Sequence, residues 1–208
     1  MNIDEIMCRA PVIPVLVLDG SLEPVKLAEI LVEAGLPVIE VTLRTPSALK
    51  AIKAMAGVAG AIVGAGTVLN DRMLGEAIDA GAKFIVSPGL TESLGKAVIS
   101  SGVPFLPGIA NASDIMRGLD LGLGRFKFFP AEASGGIAAL KALSAPFVEV
   151  KFCPTGGIRE ETAAQWLAME SVPCVGGSWI LSAGETDLAA IGGRARRAAL
   201  LRPPQSQA

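Results

Sequence analysis

Short apolar runs alternate with helical patterns along almost the whole sequence, and this alternation restricts the fold more than any other feature. Eight runs are rich in β-branched or apolar residues and are bounded by glycine, proline or polar residues. They begin at Pro11, Leu36, Ala61, Phe84, Pro104, Arg125, Glu149 and Cys174. Several helical patterns between them end in glycine, at Gly35, Gly81 and Gly102, as helices often do. The alternation predicts an α/β fold, a (β/α)8 TIM barrel with a short N-terminal helix before the first strand.

The length of the chain indicates one domain. It has 208 residues, of which 51% are apolar, enough for one well-buried core and too few for two ordinary domains. We therefore expect a single barrel domain over residues 1–208. An open, doubly wound parallel sheet is the alternative architecture.

Charge and hydropathy restrict the partners. The formal net charge of −2 gives no basic surface for nucleic acid or for an anionic membrane. No apolar stretch reaches the roughly 18 residues of a membrane span, and the start "MNIDEIMCRAP" carries acids where a signal peptide has basic residues. We expect a cytoplasmic protein, with the basic segment "RARRAALLRPPQSQA" forming a solvated last helix that frays into a tail.

Missing residue types exclude several catalytic systems. The sequence has no histidine and no tyrosine, and its three cysteines show no C-x-x-C spacing. Ser–His and Cys–His nucleophiles are therefore excluded, and a catalytic zinc site is not expected, because such sites nearly always include an imidazole. Acid–base chemistry has to come from Glu, Asp, Lys, a hydroxyl or water.

Polar residues and glycines gather where the predicted strands end. In a barrel of parallel strands these carboxyl-terminal ends form one face, which carries the chemistry. The residues at these ends are Glu40, Thr42, Arg44, Thr67, Pro88, Lys127, Thr155, Gly156, Gly157, Gly176, Gly177 and Ser178. Their gathering predicts a site on that face.

Simpler interpretations exist for several of these residues. Glu40 and Arg44 could form a structural ion pair, and the glycine pairs could be tight turns only. Thr67 could cap the following helix, although Asn70 is better placed to do so.

Lys127 raises a question of its own, because it interrupts the apolar run "RFKFFP". A buried ammonium group costs several kcal/mol unless it is paired, neutralised or used. The simple interpretation is that its alkyl stem lies along the apolar surface while the amine reaches water at the strand end.

Two long segments resemble the active-site signatures of the KDPG/KHG aldolase family. They are "GLPVIEVTLR", residues 35–44, and "GLGRFKFFPAEASG", residues 122–135. Five shorter motifs, "VGAGTVLN", "SPGL", "LPGI", "FCPTGGI" and "GGSW", resemble the family in order and spacing. The resemblance runs from about Pro11 to Trp179. It departs at Asn111, where a small hydroxyl residue is expected.

The resemblance implies a class I, Schiff-base aldolase that cleaves 2-keto-3-deoxy-6-phosphogluconate in the Entner–Doudoroff pathway. Lys127 would form an imine with the keto group, and Glu40 would be the general acid–base. Arg44 suits the pyruvyl carboxylate because its fork binds two oxygens at once, with Thr67 adding a hydroxyl. Pro88, Phe129 and Thr155 would shape the pocket around the imine.

The surroundings of Lys127 are consistent with a nucleophile. An ordinary lysine is almost fully protonated at pH 7. Phenylalanines at 126, 128 and 129 are expected to desolvate the amine and Arg44 adds a like charge, both of which favour the neutral form. Lys151 is the competing lysine, but it lies earlier on its strand.

The glycine pairs predict a phosphate site. In barrels of this kind the loops after the seventh and eighth strands commonly bind phosphate through backbone N–H groups. Gly156 and Gly157 follow one strand, and Gly176, Gly177 and Ser178 follow the other. We expect a phosphorylated keto acid to be preferred over 4-hydroxy-2-oxoglutarate.

The resemblance also implies no cofactor, no metal and a homo-oligomer, a trimer in this family. Two other classes stay open. One is another phosphosugar barrel enzyme, such as an epimerase or a thiamine-phosphate-synthase-like transferase. The other is a non-catalytic barrel that binds a sugar acid. The sequence leaves the natural 2-keto-3-deoxy acid undetermined.

Overall fold

The computed structural model describes residues 1–201 and has an α/β fold in which neighbouring strands run parallel. Each of the eight predicted runs contains a strand. The strands are β1 Val12–Leu16, β2 Val38–Thr42, β3 Ile62–Gly66, β4 Ile85–Val86, β5 Phe105–Leu106, β6 Gly108–Ile109, β7 Arg125–Phe128, β8 Lys151–Pro154 and β9 Val175–Gly177. The helices are α1 Ile3–Met7, α2 Pro24–Glu33, α3 Ala48–Met55, α4 Asp71–Asp79, α5 Glu92–Ser101, α6 Ala112–Asp120, α7 Gly136–Ser144, α8 Glu160–Leu167 and α9 Leu188–Ala199.

The strands form a curled parallel arrangement of two sheets. One sheet has the order β5-β4-β3-β2-β1-β9 and the other β6-β7-β8. The fifth run supplies a strand to each sheet, because β5 pairs with β4 while β6, beyond Pro107, pairs with β7. At the other edge Thr155 bridges to Gly176 of β9. Pairing of the last strand with the first excludes the doubly wound strand order.

The fold buries two apolar layers, one on each face of the strands. The outer layer lies between strands and helices and contains Phe126 and Phe128. The Phe128 ring packs against Trp166 of α8, with ring centroids 6.4 Å apart. The expectation that both phenylalanines desolvate Lys127 is therefore wrong, because successive side chains of a strand point to opposite faces.

The predicted N-terminal helix is present as α1, which covers the amino-terminal ends of the strands. Its Ile6 and Met7 are buried in the inner apolar layer, together with Phe84 and Cys153. Its Asp4 forms an ion pair with Arg125, the first residue of β7. The inner layer is thus closed off from solvent at the end opposite to the predicted site.

Helix boundaries follow the predicted signals. Gly35, Gly81 and Gly102 have φ of +90°, +94° and +72° beyond the ends of α2, α4 and α5, a conformation that only glycine adopts easily. The Asn70 side chain caps α4 by accepting a hydrogen bond from the Met73 N–H at 3.0 Å. The prediction that Asn70 rather than Thr67 caps this helix is confirmed.

No helix within residues 1–201 is long and apolar enough to cross a membrane. The basic stretch that was predicted to be solvated begins in α9, which ends at Ala199. The predicted fraying into a tail concerns residues 202–208, which lie outside the described residues.

An ion pair between Glu160 and Arg197 joins α8 to α9 and gives a testable pH dependence. Nε and Nη2 of Arg197 donate to the two carboxylate oxygens at 2.6 and 3.0 Å. The hydrogen bond from Arg197 holds the pKa of Glu160 below its usual value. Because the folded pKa is lowered, the pair stabilises the fold above the unfolded-state pKa, and this contribution is lost as the pH falls through the folded value.

We expect Glu160→Gln to lower the free energy of unfolding by at most about 1 kcal/mol at pH 7, because the pair is partly exposed. The difference from wild type should shrink as the pH falls below about 4.3, the ordinary glutamate pKa. Urea unfolding at several pH values measures it, with Glu161→Gln on the same turn as the control. A difference that does not change with pH would contradict the assignment.

Candidate active site

Lys127 and Glu40 form a buried ion pair between β7 and β2. Nζ of Lys127 donates to both carboxylate oxygens of Glu40, at 3.0 and 3.2 Å. The two side chains are only 6% and 4% exposed. The interpretation in which the amine reaches water is therefore wrong, and so is a structural pair between Glu40 and Arg44. A buried amine beside a carboxylate provides a nucleophile and a proton-transfer group in one place.

Gly66 of β3 makes room for the Glu40 carboxylate. A Cβ atom at this position would lie 2.1 Å from Oε1 of Glu40. Sequence reasoning gave no role to the "GAG" segment that contains Gly66. The available signal was a glycine near the end of a strand, which often marks the close approach of another group.

Arg44 and Thr67 meet at the carboxyl-terminal ends of β2 and β3. Nε of Arg44 donates to Oγ1 of Thr67 at 3.3 Å. Thr67 has a φ of +61°, which is unusual for a β-branched residue and is maintained only by its surroundings. Because this bond uses Nε, both terminal nitrogens of Arg44 remain able to donate to one carboxylate.

Other predicted residues border the amine or lie at the same ends. The Phe129 ring centroid is 5.5 Å from Nζ of Lys127. Thr155 is buried, and its hydroxyl donates to the Cys153 carbonyl at 3.3 Å. Pro88 lies beyond β4, where its carbonyl is close to Gly108 of β6. Of the three phenylalanines that were expected to desolvate Lys127, Phe129 is thus the one whose ring faces its amine.

The two glycine segments lie side by side, one after β8 and the other at the end of β9. The prediction that Gly176 and Gly177 follow the last strand is wrong, because β9 extends to Gly177 and pairs there with β1. Gly156 and Gly157 have φ of +102° and +81°, so this segment is a turn that favours glycine. A Cβ atom at Gly176 would lie 2.2 Å from Oγ1 of Thr155. After Gly177 the chain enters a single 3-10 turn that starts at the exposed Ser178. The exposed hydroxyl of Ser178 and the glycine turn after β8 therefore lie at this edge of the candidate site.

Lys151, the competing lysine, lies at the opposite end of the strands. It is the first residue of β8, and its Nζ donates to the Glu170 carbonyl at 3.3 Å. It takes no part in the pair with Glu40. In residues 1–201, His, Cys, Asp and Glu form no group of three or more that could hold a metal ion.

The model of the KDPG and KHG aldolase family matches residues 3–193 of the chain. The chain belongs to this family. The aldolase match extends beyond Trp179, where the visible sequence resemblance stopped. Asn111, the residue that departs from the family pattern, caps α6 by accepting from the Asp114 N–H at 3.0 Å.

Relatives within the aldolase family cover nearly the whole chain. The 2-dehydro-3-deoxy-phosphogluconate aldolase of Zymomonas mobilis is 55% identical over 95% of both chains. A crystal structure of a Z. mobilis 2-keto-3-deoxy-6-phosphogluconate aldolase with 3-phosphoglycerate superposes with a TM-score of 0.94, at 53% identity and 97% coverage of both chains. The Legionella pneumophila KDPG aldolase, with pyruvate captured as a covalent carbinolamine, has a TM-score of 0.90 at 41% identity, covering 93% of this chain and 96% of that one.

Proposed function

We propose that this protein is a class I aldolase that cleaves 2-keto-3-deoxy-6-phosphogluconate to pyruvate and glyceraldehyde 3-phosphate. It would also cleave 4-hydroxy-2-oxoglutarate to pyruvate and glyoxylate. The buried pair of Lys127 and Glu40 is the observation that carries the proposal. The names of the relatives and the carbinolamine captured in the L. pneumophila enzyme support it.

Lys127 is the nucleophile of the reaction, and its nitrogen becomes part of the iminium ion that later accepts electrons. Its neutral amine attacks the second carbon of the substrate, and the carbinolamine loses water to give an iminium ion. The iminium accepts the electron pair of the bond between the third and fourth carbons when that bond breaks, which leaves an enamine and an aldehyde. Protonation of the enamine at the third carbon and addition of water then release pyruvate and the free amine.

Glu40 moves the protons. The substrate keto group has to displace its carboxylate from Nζ of Lys127, which leaves an acceptor next to the reacting carbons. The carboxylate takes the proton of the fourth-carbon hydroxyl, directly or through water, and returns a proton to the enamine. One group at this position therefore serves both steps.

The remaining residues bind the two ends of the substrate. The two terminal nitrogens of Arg44 and the hydroxyl of Thr67 hold the pyruvyl carboxylate. Pro88, Phe129 and Thr155 border the imine. Gly156, Gly157, Gly176, Gly177 and Ser178 bind the phosphate through main-chain N–H groups and one hydroxyl.

Trapping with borohydride tests the proposal. Pyruvate plus borohydride should add one reduced pyruvyl unit to the protein, at Lys127 by peptide mapping, because only an imine is reduced to a stable amine. A label on Lys151, or no label, would overturn the mechanism. A barrel that only binds sugar acids, an epimerase and a thiamine-phosphate-synthase-like transferase all predict no label.

The phosphate site gives a second test. We expect the phosphorylated six-carbon keto acid to have a kcat/KM at least about tenfold above that of 4-hydroxy-2-oxoglutarate. Ser178→Ala should reduce this lead by the ~1.5 to 3 kcal/mol of a hydrogen bond to a charged group. Ser182→Ala, a few residues further along the chain, is the control. A variant that loses both substrates equally would place the phosphate elsewhere.

We also propose that the chain, residues 1–208, is a single domain whose described part, residues 1–201, is one closed (β/α)8 barrel. The shared fifth run and the bridge from Thr155 to Gly176 support closure, because they join the two sheets at both edges. Activity without a cofactor, a homotrimer and a place in the Entner–Doudoroff pathway stay predictions from the family resemblance. A cytoplasmic location stays a prediction from the hydropathy and charge pattern of the sequence.

A further inference from the structure

The turn that carries Arg44 is attached to the end of β1 by hydroxyl groups. We call residues 43–47, between β2 and α3, the Arg44 turn. The hydroxyls of Thr45 and Ser47 both donate to the Leu18 carbonyl, the second at 2.6 Å. The same two hydroxyls are 3.2 Å apart. One main-chain oxygen thus receives two side-chain hydrogen bonds from one turn.

A third hydroxyl holds the turn on its other side. Thr42, the last residue of β2, donates from Oγ1 to the Leu16 carbonyl at 3.0 Å and is fully buried. The Arg44 N–H donates to the Thr42 carbonyl at 2.8 Å. The main chain of Arg44 is therefore held to the β1 segment both before and after it, although its own side chain extends into solvent.

The hydrogen bonds to the Leu18 carbonyl are not part of the strand pairing of the sheet. β1 ends at Leu16, and its pairing with β2 ends at Val41, so Leu18 lies where strand pairing no longer fixes the main chain. In the same turn, Arg44 is exposed and donates through Nε to Thr67. An arginine side chain loses much conformational freedom when it binds a carboxylate. Holding the main chain of Arg44 in place beforehand reduces this loss and increases the affinity for the carboxylate.

We infer that Thr45 and Ser47 are positioning residues for Arg44, and that their bonds to Leu18 set the affinity and selectivity of the site for the substrate carboxylate. The inference rests on the proposed function, since it assumes that Arg44 binds the pyruvyl carboxylate. Neither residue touches Lys127 or Glu40 in the hydrogen bonds of residues 1–201, so the bond-breaking step itself is unaffected.

The variants Thr45→Val and Ser47→Ala each remove one hydroxyl. We expect each to raise KM for the keto acid about three- to tenfold, the size of one net hydrogen bond, while kcat stays within twofold. Selectivity should fall as well. Pyruvate and pyruvamide differ only in the group that faces Arg44. Borohydride trapping at several concentrations gives the apparent affinity for imine formation with each compound. The ratio of the affinity for pyruvate to that for pyruvamide should fall by a similar factor.

The controls separate positioning from general stability. Ser101→Ala removes a hydroxyl that donates to the Val98 carbonyl at 2.7 Å on α5, and it should change neither KM nor the pyruvate-to-pyruvamide ratio. Thr45→Ser keeps the hydroxyl and should restore both values. A raised KM with an unchanged ratio would overturn the inference, as would a loss of kcat that follows the loss of thermal stability. Wild-type protein that forms no imine would instead refute the proposed function.

Discussion

Replacing Lys127 by arginine should abolish turnover, by roughly 10⁴- to 10⁶-fold, the scale seen when a covalent nucleophile is removed. Arginine keeps the positive charge and the donors that face Glu40, but its guanidinium does not become neutral and cannot form the imine. Both kcat and trapping with borohydride should therefore be lost. Steady-state cleavage coupled to pyruvate detection measures the first, and mass spectrometry after trapping measures the second.

Two further variants control this experiment. Lys151→Arg changes the other candidate lysine and should leave turnover within about twofold of wild type. Lys127→Met removes the charge and leaves Glu40 buried without its partner, which typically costs 3–5 kcal/mol of stability. Folded Lys127→Arg protein that retains even one per cent of wild-type turnover would rule out an imine at this position.

The second large effect is expected for Glu40→Gln. Glutamine keeps the shape of the side chain and an oxygen that can accept from Lys127, but it cannot act as a base. Turnover should fall about 10²- to 10⁴-fold, as is typical for general acid–base groups. Imine formation with pyruvate should remain detectable by trapping, because the amine is still present.

Arg44→Ala provides the contrast to Glu40→Gln. It should chiefly weaken pyruvate binding, seen as a raised KM, and change kcat much less. Near-normal turnover of Glu40→Gln would mean that this carboxylate only pairs with Lys127 structurally.

Local sequence patterns predicted most of the secondary structure. The eight apolar runs all contain strands, and the short N-terminal helix is present. The fifth run could not be divided from sequence, because the choice of strand partner is a property of the assembled sheet. Phe105 and Ile109 lie in one continuous run, yet their strands pair with different neighbours.

The residues of the candidate site could be named from sequence, but their contacts could not. Residue types at strand ends, together with the family signatures, identified Lys127 and Glu40 separately. Their hydrogen bond joins residues 87 positions apart, and no local pattern encodes that distance. The orientation of Phe126 and Phe128, in contrast, was available from the two-residue period of a strand.

The position of α1 has a consequence for the order of events during synthesis. The five residues of α1 are too few to form a stable helix alone, so Ile6 and Met7 need the inner layer before they are buried. Arg125, the partner of Asp4, follows 121 residues later, and Cys153 of the inner layer is later still. At 5–20 residues per second, translation reaches Arg125 on the order of ten seconds after Asp4. α1 is therefore synthesised well before Arg125 and Cys153, and its complete set of native contacts forms only after these later residues have been made.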